Sequence, residues 1–435
     1  MRILSLVLIA CAAVMVTARV APAIAVQPPN VVLLISDDQG WDDYSFMGHK
    51  DIKTPHIDRL AEQSLVYERG YVPTSLCRPS LATMITGLYP HQHGIIGNDP
   101  TENKRTNAGR GVMVDRFQQN PRLPELLKPA GYLSFQSGKW WEGHFTSGGF
   151  THGMTHGDVE RGGRHGDVGL QIGRKTMLPV FDFLDRVVEE KRPFLLWYAP
   201  MMPHLPHNPP GELLAENQAD GRAETVARFF AMCQWWDRTC GQLLDRLDEK
   251  GLSDNTLVIY ICDNGWTQRA DQGGGAVGGT RGKRSAYDGG VRTPIMIRWP
   301  GRVEPRRDTL NLASSIDLVP TVLSAASTDR PKRLPGVDLL DAAAVAERDA
   351  IFGEIYTHDV PDLDRPTASL LYRWVIHRHW KLIEPTALAT GEFGPKSAAL
   401  FDLANDPEER HNLDGKYPER VGELRGRLQG QWHGP

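Results

Sequence analysis

The stretch that decides the fold runs from Asn30 to Asp38 and reads NVVLLISDD. Its apolar residues are continuous rather than alternating, which is typical of a β-strand buried on both faces. A second run of this kind extends from Thr256 to Asn264 and reads TLVIYICDN. Ligands of α/β proteins bind beyond the carboxyl ends of strands, and both runs pass there into acidic or amide side chains. We therefore expect a site where these two strands end.

The remaining elements favour a layered α/β fold. Short β-rich runs alternate with helical patterns, which predicts a central, mostly parallel mixed sheet sandwiched by helices. We predict helices near 55–66, near 79–86 and over 222–250, a strand over Pro193 to Tyr198, and loops covering the site over 143–173 and 267–282.

We expect three parts along the chain. A signal segment at 1–25 is followed by a main domain over 26–335, which ends in the linker-like stretch Pro331 to Pro335. The rest, 336–435, is predicted to be a smaller α+β subdomain with a small antiparallel sheet. Its strands are predicted at Ala350 to Tyr356, Tyr372 to His377 and Trp380 to Ile383.

The first 25 residues have the pattern of a secretory signal peptide. Arg2 is followed by an apolar run from Ile3 to Met15 and by Ala23-Ile24-Ala25, a cleavage pattern of small residues. We therefore expect a periplasmic or secreted protein. The alternative is a lipoprotein acylated at Cys11. No later apolar stretch reaches about 18 residues, so no membrane span is expected.

Composition narrows the class of protein. The 435 residues include 49 Lys plus Arg against 53 Asp plus Glu, for a formal net charge of −4. Proteins that bind nucleic acids through the phosphates need a basic excess, so this class is excluded. Hydrophobic residues make up 40% of the chain, which is typical of a folded globular protein.

The cysteines point to one reactive candidate. Cys77 precedes Pro79 and a helical run to Thr86, so it stands where a helix begins. The helix dipole favours an anion at that position, which predicts a lowered pKa of the thiol. Cys233 and Cys240 lie about 10 Å apart on one predicted helix, too far for a disulfide, and are predicted to be buried thiols.

The two strand ends supply oxygen ligands. Asp37 and Asp38 follow the first strand, and Asp263 and Asn264 follow the second. Neighbouring carboxylates at buried strand ends repel one another unless a cation lies between them. Oxygen ligands without a soft donor suit Ca²⁺ or Mg²⁺.

Three further polar residues are candidates for the same site. Lys139 and Lys283 each follow a glycine in a predicted loop, and His204 lies in a proline-rich turn after the strand that ends at Tyr198. The segment from Gly148 to Arg174 is rich in His and Arg and could attract an acidic ligand.

Together these residues resemble the sulfatase family, within the alkaline phosphatase superfamily. The resemblance covers nearly the whole chain after the signal segment and implies an alkaline phosphatase-like fold. Its most specific motifs are Cys77-Arg78-Pro79-Ser80, Gly138-Lys139-Trp140, Asp263-Asn264-Gly265, Gly282-Lys283 and Gly289-Gly290-Val291-Arg292.

The resemblance implies a chemistry. Cys77 would be oxidised to formylglycine by a formylglycine-generating enzyme, and its hydrated aldehyde would attack the sulfur of a sulfate ester. Lys139 and Lys283 would bind the sulfate, and His204 would act at the leaving-group side. A Ca²⁺ ion would be held next to Cys77 by Asp37, Asp38, Asp263 and Asn264.

The chain departs from the family pattern at two positions. The family signature has Arg four residues after the cysteine, where this chain has Leu81. The family also has His two residues after the motif lysine, where this chain has Trp141. Arg78 is a candidate for the missing positive charge, Glu142 or His144 for the missing polar contact, and Trp141 for a wall of the substrate site.

Three functions are compatible with these motifs. The leading one is a sulfuric ester hydrolase acting on a sulfated oligosaccharide or polysaccharide. The second is a phosphoesterase or phosphonate hydrolase of the same superfamily. The third is a non-catalytic binder of sulfated glycans that keeps the cation and the lysines.

Overall fold

The computed structural model describes residues 27–101, 107–158, 160, 163, 165–219, 221–266 and 279–432. The predicted signal segment, Cys11 and residues 267–278 of the second predicted loop lie outside these ranges. No helix within them has the length and hydropathy of a membrane span.

Strands and helices alternate along the first three quarters of the chain. The strands are β1 Asn30–Ser36, β2 Leu65–Tyr67, β3 Gly70–Tyr71, β4 Asp99–Pro100, β5 Leu133–Gly138, β6 His152–Gly153, β7 Phe194–Ala199, β8 Thr256–Cys262, β9 Ile295–Arg298, β10 Arg306–Asp308, β11 Ala313–Ser314, β12 Ala350–Tyr356, β13 Asp359–Val360, β14 Leu370–His377, β15 Trp380–Pro385 and β16 Ala399–Asp402. The helices are α1 Pro55–Glu62, α2 Cys77–Thr86, α3 Pro90–His93, α4 Asn107–Gln118, α5 Leu123–Leu127, α6 Leu178–Glu190, α7 Gly211–Asn217, α8 Glu224–Glu249, α9 Asp288–Val291, α10 Leu318–Ala325, α11 Ala342–Glu347 and α12 Pro418–Gln431.

The central sheet has the strand order β10-β2-β9-β8-β1-β7-β5-β6. The five strands from β8 to β6 are parallel, and β9 runs antiparallel to both of its neighbours. In the register of the central pair, Ser36 of β1 faces Cys262 of β8. The predicted mostly parallel mixed sheet is therefore confirmed, and the carboxyl ends of β8, β1, β7 and β5 lie side by side.

Strand β1 is buried on both faces, as its continuous apolar sequence predicts. Val31, Leu33 and Ile35 belong to a core shared with α2, α5 and α10. Val32 and Leu34 point the other way, into a core shared with α1, α6 and α8. Full burial of each side chain is worth roughly 1.5–3 kcal/mol. Helices cover both faces of the sheet, so the predicted sandwich is confirmed.

A four-stranded antiparallel sheet, β12-β14-β15-β16, follows near the carboxyl terminus. Trp374 and Ile376 on one face join the main core. Val375 and Leu382 on the other face pack against Leu424 of α12. The predicted small antiparallel sheet is confirmed, with β16 as a fourth strand that the sequence pattern did not reveal.

Some predicted boundaries differ from the structure. The helix predicted near 55–66 ends at Glu62, because Leu65 to Tyr67 join the central sheet as β2, between β10 and β9. The described residues of the segment 143–173, predicted to be a loop, include β6 and the 3₁₀ helices Phe145–Gly148 and Asp167–Gln171. Its strand pairs with β5, where Phe135 faces His152.

Candidate active site

Four neighbouring strands deliver the predicted site residues to one edge of the sheet. Asp37 and Asp38 follow β1, and Asp263 follows β8. Lys139 follows β5, and His204 lies in the turn after β7. The spacing in sequence is large, but parallel pairing brings these strand ends together.

The backbone of Asp38 turns sharply at the end of β1. Its φ is 61°, in the left-handed region, and its N–H donates to Asp263 Oδ1 at 3.1 Å. The N–H of Asp37 donates to the carbonyl of Met202 at 3.0 Å. An extended strand would send successive side chains to opposite faces, so this turn lets both aspartates face one site. Such a backbone costs about 1 kcal/mol or more, a typical feature of functional sites.

Gly138 allows Lys139 to enter the site. A Cβ atom at position 138 would lie 2.0 Å from the carbonyl oxygen of Ala199, and the φ of Gly138 is +83°. Only glycine fits this approach between β5 and β7. The N–H of Lys139 then donates to the same carbonyl at 2.7 Å.

The two lysines contact different carboxylates. Lys139 Nζ lies 2.6 Å from Asp37 Oδ1 and 3.6 Å from Asp263 Oδ2. Lys283 Nζ contacts Asp38 Oδ1 and lies 3.1 Å from Cys77 Sγ. The side chain of Lys139 is 2% exposed and that of Lys283 is 14% exposed, so the site opens to solvent on the side of Lys283.

The oxygen atoms of the site fit a divalent cation. Asp37 Oδ2, Asp263 Oδ2 and Asn264 Oδ1 are buried and accept no hydrogen bond from the described residues. One ligand atom from each of Asp37, Asp38, Cys77 and His204 also lies within 4.8 Å of the others. Crowded oxygens without donors are the environment that Ca²⁺ or Mg²⁺ satisfies.

The pKa shifts reflect the same crowding. Burial, followed by the charge of Asp37, raises the pKa of Asp263 well above its ordinary value. Burial opposes ionisation of Asp38 as well, but Lys283, His204 and Lys139 outweigh it and hold its pKa well below the ordinary value. Burial alone would lower the pKa of Lys139, yet Asp37 raises it well above its usual range. Burial would lower the pKa of Lys283 as well, but Asp38 raises it above its usual range, so both lysines remain charged.

Cys77 begins α2, as the sequence predicts, but its acidity differs from the prediction. The thiol is 2% exposed, and burial raises its pKa to about 12 although Lys139 and Lys283 act to lower it. The predicted lowering of the pKa by the helix dipole is therefore wrong. Desolvation of a fully buried thiolate is a larger effect than a partial charge at a helix terminus.

The hydrogen bonds of His204 define its tautomer. Nδ1 lies 2.6 Å from the carbonyl of Leu205, and a carbonyl only accepts, so Nδ1 carries a proton. Nε2 lies 3.4 Å from Asp38 Oδ2. Burial lowers the pKa of His204 below its ordinary value, and the opposing effect of Asp37 and Asp38 is smaller. Nε2 is therefore the nitrogen that faces the site.

Arg78 directly follows Cys77 in the chain, and Trp141 lies two residues after Lys139. Arg78 Nε and Nη2 donate to Glu142 at 2.8 and 2.6 Å, and both side chains are buried. Arg78 and Trp141 also line a cavity of about 590 Å³ together with His144. The guanidinium is thus paired within the protein. Leu81, at the position of the signature Arg, is buried in the main core.

One cluster next to the site was missed by the sequence analysis. Lys381 Nζ lies 2.8 Å from Asp288 Oδ1 and 2.9 Å from Glu409 Oε1, and all three residues are buried. Asp288 begins α9, five residues after Lys283. A lysine inside the apolar strand WKLIEP is the signal that could have revealed it.

Comparison with known proteins identifies the family. The sulfatase family model matches residues 29–328, and the model of the N-sulphoglucosamine sulphohydrolase C-terminal region matches residues 279–431. N-acetylgalactosamine-6-sulfatase of Canis lupus familiaris is 30% identical, over 76% of this chain and 68% of that protein. Human arylsulfatase A is 28% identical, over 89% of this chain and 84% of that protein.

Solved structures share the fold. The crystal structure of Ps i-CgsB in complex with k-i-k-neocarrahexaose superposes with a TM-score of 0.74 and 24% identity, over 94% of both chains. The sulfatase model alone matches more than half of the chain, and the same residues carry the lysine and carboxylate site described above. The chain therefore belongs to the sulfatase family, whose members are sulfuric ester hydrolases.

Proposed function

We propose that this protein releases sulfate from a sulfated oligosaccharide or polysaccharide, with a nucleophile formed at Cys77 and a bound Ca²⁺ ion. The observation that carries the proposal is the position of Lys283 Nζ, which lies 3.1 Å from Cys77 Sγ and also contacts Asp38. A cationic donor, a candidate nucleophile and a candidate cation ligand thus meet at one point.

Each charged residue has a role in this proposal. Lys139 and Lys283 neutralise the sulfate oxygens, on which negative charge remains throughout the reaction. In its imidazolium form, with a proton on each ring nitrogen, His204 presents Nε2–H to the leaving oxygen and donates that proton as the S–O bond breaks, while Nδ1 keeps its own proton. Donors that are already in place need no reorganisation during the reaction, which is why buried lysines are effective here.

The cation would be held by Asp37, Asp38, Asp263 and Asn264, beside Cys77. Their buried oxygens without donors support this assignment. Bound Ca²⁺ would supply positive charge next to the sulfate, and Mg²⁺ is the second candidate. The hydrated aldehyde derived from Cys77 would supply one hydroxyl to attack sulfur and another to release the sulfate.

The proposed substrate class is a sulfated carbohydrate. Two relatives named above are an N-acetylgalactosamine-6-sulfatase and a protein crystallised with a neocarrahexaose. In this chain, Trp141 and His144 line the cavity of about 590 Å³ beside Arg78. We assign this cavity to the sugar next to the scissile sulfate, where an indole and a charged pair suit a ring with hydroxyl groups.

Maturation and location complete the proposal. A formylglycine-generating enzyme is the expected partner during synthesis, and Leu81 changes the sequence that such an enzyme would meet. The pattern of residues 1–25 favours export to the periplasm or the medium.

The proposal is tested by mass spectrometry and by sulfate release. Protein made with a formylglycine-generating enzyme is digested with trypsin, and the peptide Gly70 to Lys104 is examined for an aldehyde at Cys77. Sulfate release is then measured on a panel of sulfated glycans. Cys77→Ala should abolish release, whereas the matched variant Cys233→Ala, at another buried thiol, should retain most of it.

Each alternative gives a different result. A thiol at Cys77 with no sulfate release on any glycan contradicts the proposed mechanism. Hydrolysis of phosphonate esters without sulfate release supports the second function. Glycan binding that requires Asp263 but never leads to turnover supports the non-catalytic binder.

A further inference from the structure

A single guanidinium holds the turn that carries His204. Arg174 Nε donates to the carbonyl of Met201 at 3.2 Å, and its Nη2 donates to the same carbonyl at 2.5 Å and to that of His204 at 2.8 Å. Its Nη1 donates to the carbonyl of Pro206 at 3.2 Å and to Asn208 Oδ1 at 2.7 Å. Every nitrogen of the guanidinium is therefore used, and all the acceptors lie between positions 201 and 208.

Gly173 brings Arg174 close enough to reach this turn. Its φ is +71°, and a Cβ atom at position 173 would lie 2.9 Å from Met202 Cε and 2.9 Å from Pro200 Cβ. Its N–H donates to the carbonyl of Thr176 at 3.0 Å, which closes a small turn around Arg174. The segment is thus shaped to place this one side chain against the residues after β7.

The same turn contacts the site at two points. His204 Nε2 faces Asp38 Oδ2, and the carbonyl of Met202 accepts the N–H of Asp37. A β-bridge also joins Pro203 to Asp37. The position of His204 relative to the carboxylates therefore depends on the turn, and the turn depends on hydrogen bonds from Arg174.

The chemistry of arginine suits this task better than that of lysine. A planar guanidinium has five N–H donors in a fixed fork, whereas an ammonium donates from a single point. Arg174 forms no ion pair with a carboxylate among the described residues, and its guanidinium carbon lies 5.9 Å from the centre of the Trp235 ring. The expectation that this residue adds positive charge for an acidic ligand is replaced by a different role.

We propose that Arg174 is the positioning residue for His204, holding Nε2 where it protonates the leaving oxygen. This inference rests on the proposed function, because it assumes that His204 acts at the leaving group. Proton donation matters most when the leaving group is a poor one, such as a sugar hydroxyl, and little when it is a nitrophenol. Loss of Arg174 should therefore affect these two kinds of substrate differently.

The first experiment compares Arg174→Gln with Arg192→Gln. Arg192 also donates twice to a backbone carbonyl, that of Gly131, but it lies at the opposite end of β7. Hydrogen–deuterium exchange should accelerate in the peptide covering 200–208 for Arg174→Gln only. Unchanged exchange in that peptide would overturn the inference, whatever the activity of the enzyme.

The second experiment measures kcat with a sugar sulfate and with 4-nitrophenyl sulfate. Arg174→Gln should lower kcat roughly 10- to 100-fold on the sugar sulfate and by less than about 3-fold on the aryl sulfate. Arg174→Lys should lie between the wild type and Arg174→Gln. Equal decreases in kcat on both substrates would indicate that Arg174 only stabilises the structure, and would contradict the positioning role.

A double-mutant cycle connects the effect to His204. In the background of His204→Ala, Arg174→Gln should cause little further loss on the sugar sulfate, because the residue that it positions is gone. Independent, multiplicative losses would contradict the inference. If the wild type releases sulfate from neither substrate, the proposed function fails, and with it the effect of Arg174 on proton donation by His204. Hydrogen exchange still decides whether Arg174 holds the turn.

Discussion

Two buried clusters in this protein combine lysine with carboxyl groups. They differ in the number of carboxyl groups relative to cationic groups and in their exposure to solvent. Around Lys381, the carboxyl groups of Asp288 and Glu409 face Lys381 and the nearby Arg292, and Lys381 is fully buried. In the candidate active site, the carboxylates of Asp37, Asp38 and Asp263 face two lysines, one of which is partly exposed.

The difference separates a structural cluster from a binding site. Around Lys381 both carboxyl groups lie at ion-pair distance from the ammonium, at 2.8 and 2.9 Å, although Glu409 Oε1 accepts no hydrogen bond from the described residues. The hydroxyl of Tyr71 also donates to Asp288 at 3.0 Å. In the site, buried oxygens of Asp37, Asp263 and Asn264 accept no hydrogen bond from the described residues. We infer that a buried cluster with more carboxylates than cations, open to solvent on one side, is built for a ligand. Four substitutions test this comparison.

The largest effect is expected for Asp263→Asn in the site. We expect sulfate release to fall at least about 100-fold, because one ligand of the proposed cation loses its charge. Added Ca²⁺ should no longer raise the melting temperature. Without Ca²⁺ the variant should be at least as stable as the wild type, because one of three crowded carboxylates is neutral. Asp254→Asn, at an exposed aspartate, is the control, and full activity of Asp263→Asn would contradict the assignment.

A large loss of stability is expected for Lys381→Met. The substitution leaves the carboxyl groups of Asp288 and Glu409 buried without their lysine, which typically costs about 3–5 kcal/mol. Urea denaturation would measure the free energy of unfolding. The exposed Lys416→Met should change it by no more than about 0.5 kcal/mol. A loss below 1 kcal/mol for Lys381→Met would show that the cluster is not structural.

A pH-dependent effect is expected for Asp237, a buried carboxyl group that forms no ion pair within the described residues. Asp237 Oδ1 accepts the N–H of Ile57 at 2.7 Å, and burial raises the pKa of Asp237 to about 7. The unfolded chain releases this proton near pH 4, so the folded state loses stability as the pH rises from about 4 to 7.

Asp237→Asn has no ionisable group at this position, so its stability should not fall in this way between pH 4 and pH 7. We therefore expect its free energy of unfolding, relative to that of the wild type, to rise by about 1–3 kcal/mol over this range. Denaturation series at both pH values measure it. The stability of Asp237→Asn relative to the wild type must increase as the pH rises. A relative stability that increases as the pH falls would contradict burial as the cause of the raised pKa.

The smallest effect is expected for the exposed pair of Arg59 and Asp245. Their side chains are 45% and 53% exposed, with a separation of 2.8 Å. Solvent screens such a pair, so Arg59→Gln should change the free energy of unfolding by less than about 1 kcal/mol. A loss of stability comparable to that of Lys381→Met would show that burial is not what makes the cluster around Lys381 more important for stability than this exposed pair.

The sequence predicts the parts of the site that depend on parallel strands. Asp37, Asp38, Asp263 and Asn264 come together because β1 and β8 are neighbours in one sheet, and two continuous apolar runs followed by acidic residues reveal this. The start of α2 at Cys77 is equally local. In these cases a short stretch of sequence contains the features that determine the local structure.

The parts that depend on side-chain packing could not be predicted. Arg78 and Glu142 form a buried pair although 64 residues separate them. Lys381 meets Asp288 across 93 residues, and only the packing of the carboxyl-terminal sheet brings them together. The thiol of Cys77 was predicted to be acidic because its depth of burial cannot be read from the residues around it.

The burial of Cys77 also sets an order of events during biosynthesis. The thiol is 2% exposed, and Lys283, which contacts it, lies 206 residues later in the chain. An enzyme that modifies the thiol can reach it only while the emerging polypeptide is still open. A chain that folds too early would trap the unmodified thiol. If Cys77 is modified as proposed, the relative speeds of synthesis, modification and folding would determine how much active protein a cell obtains.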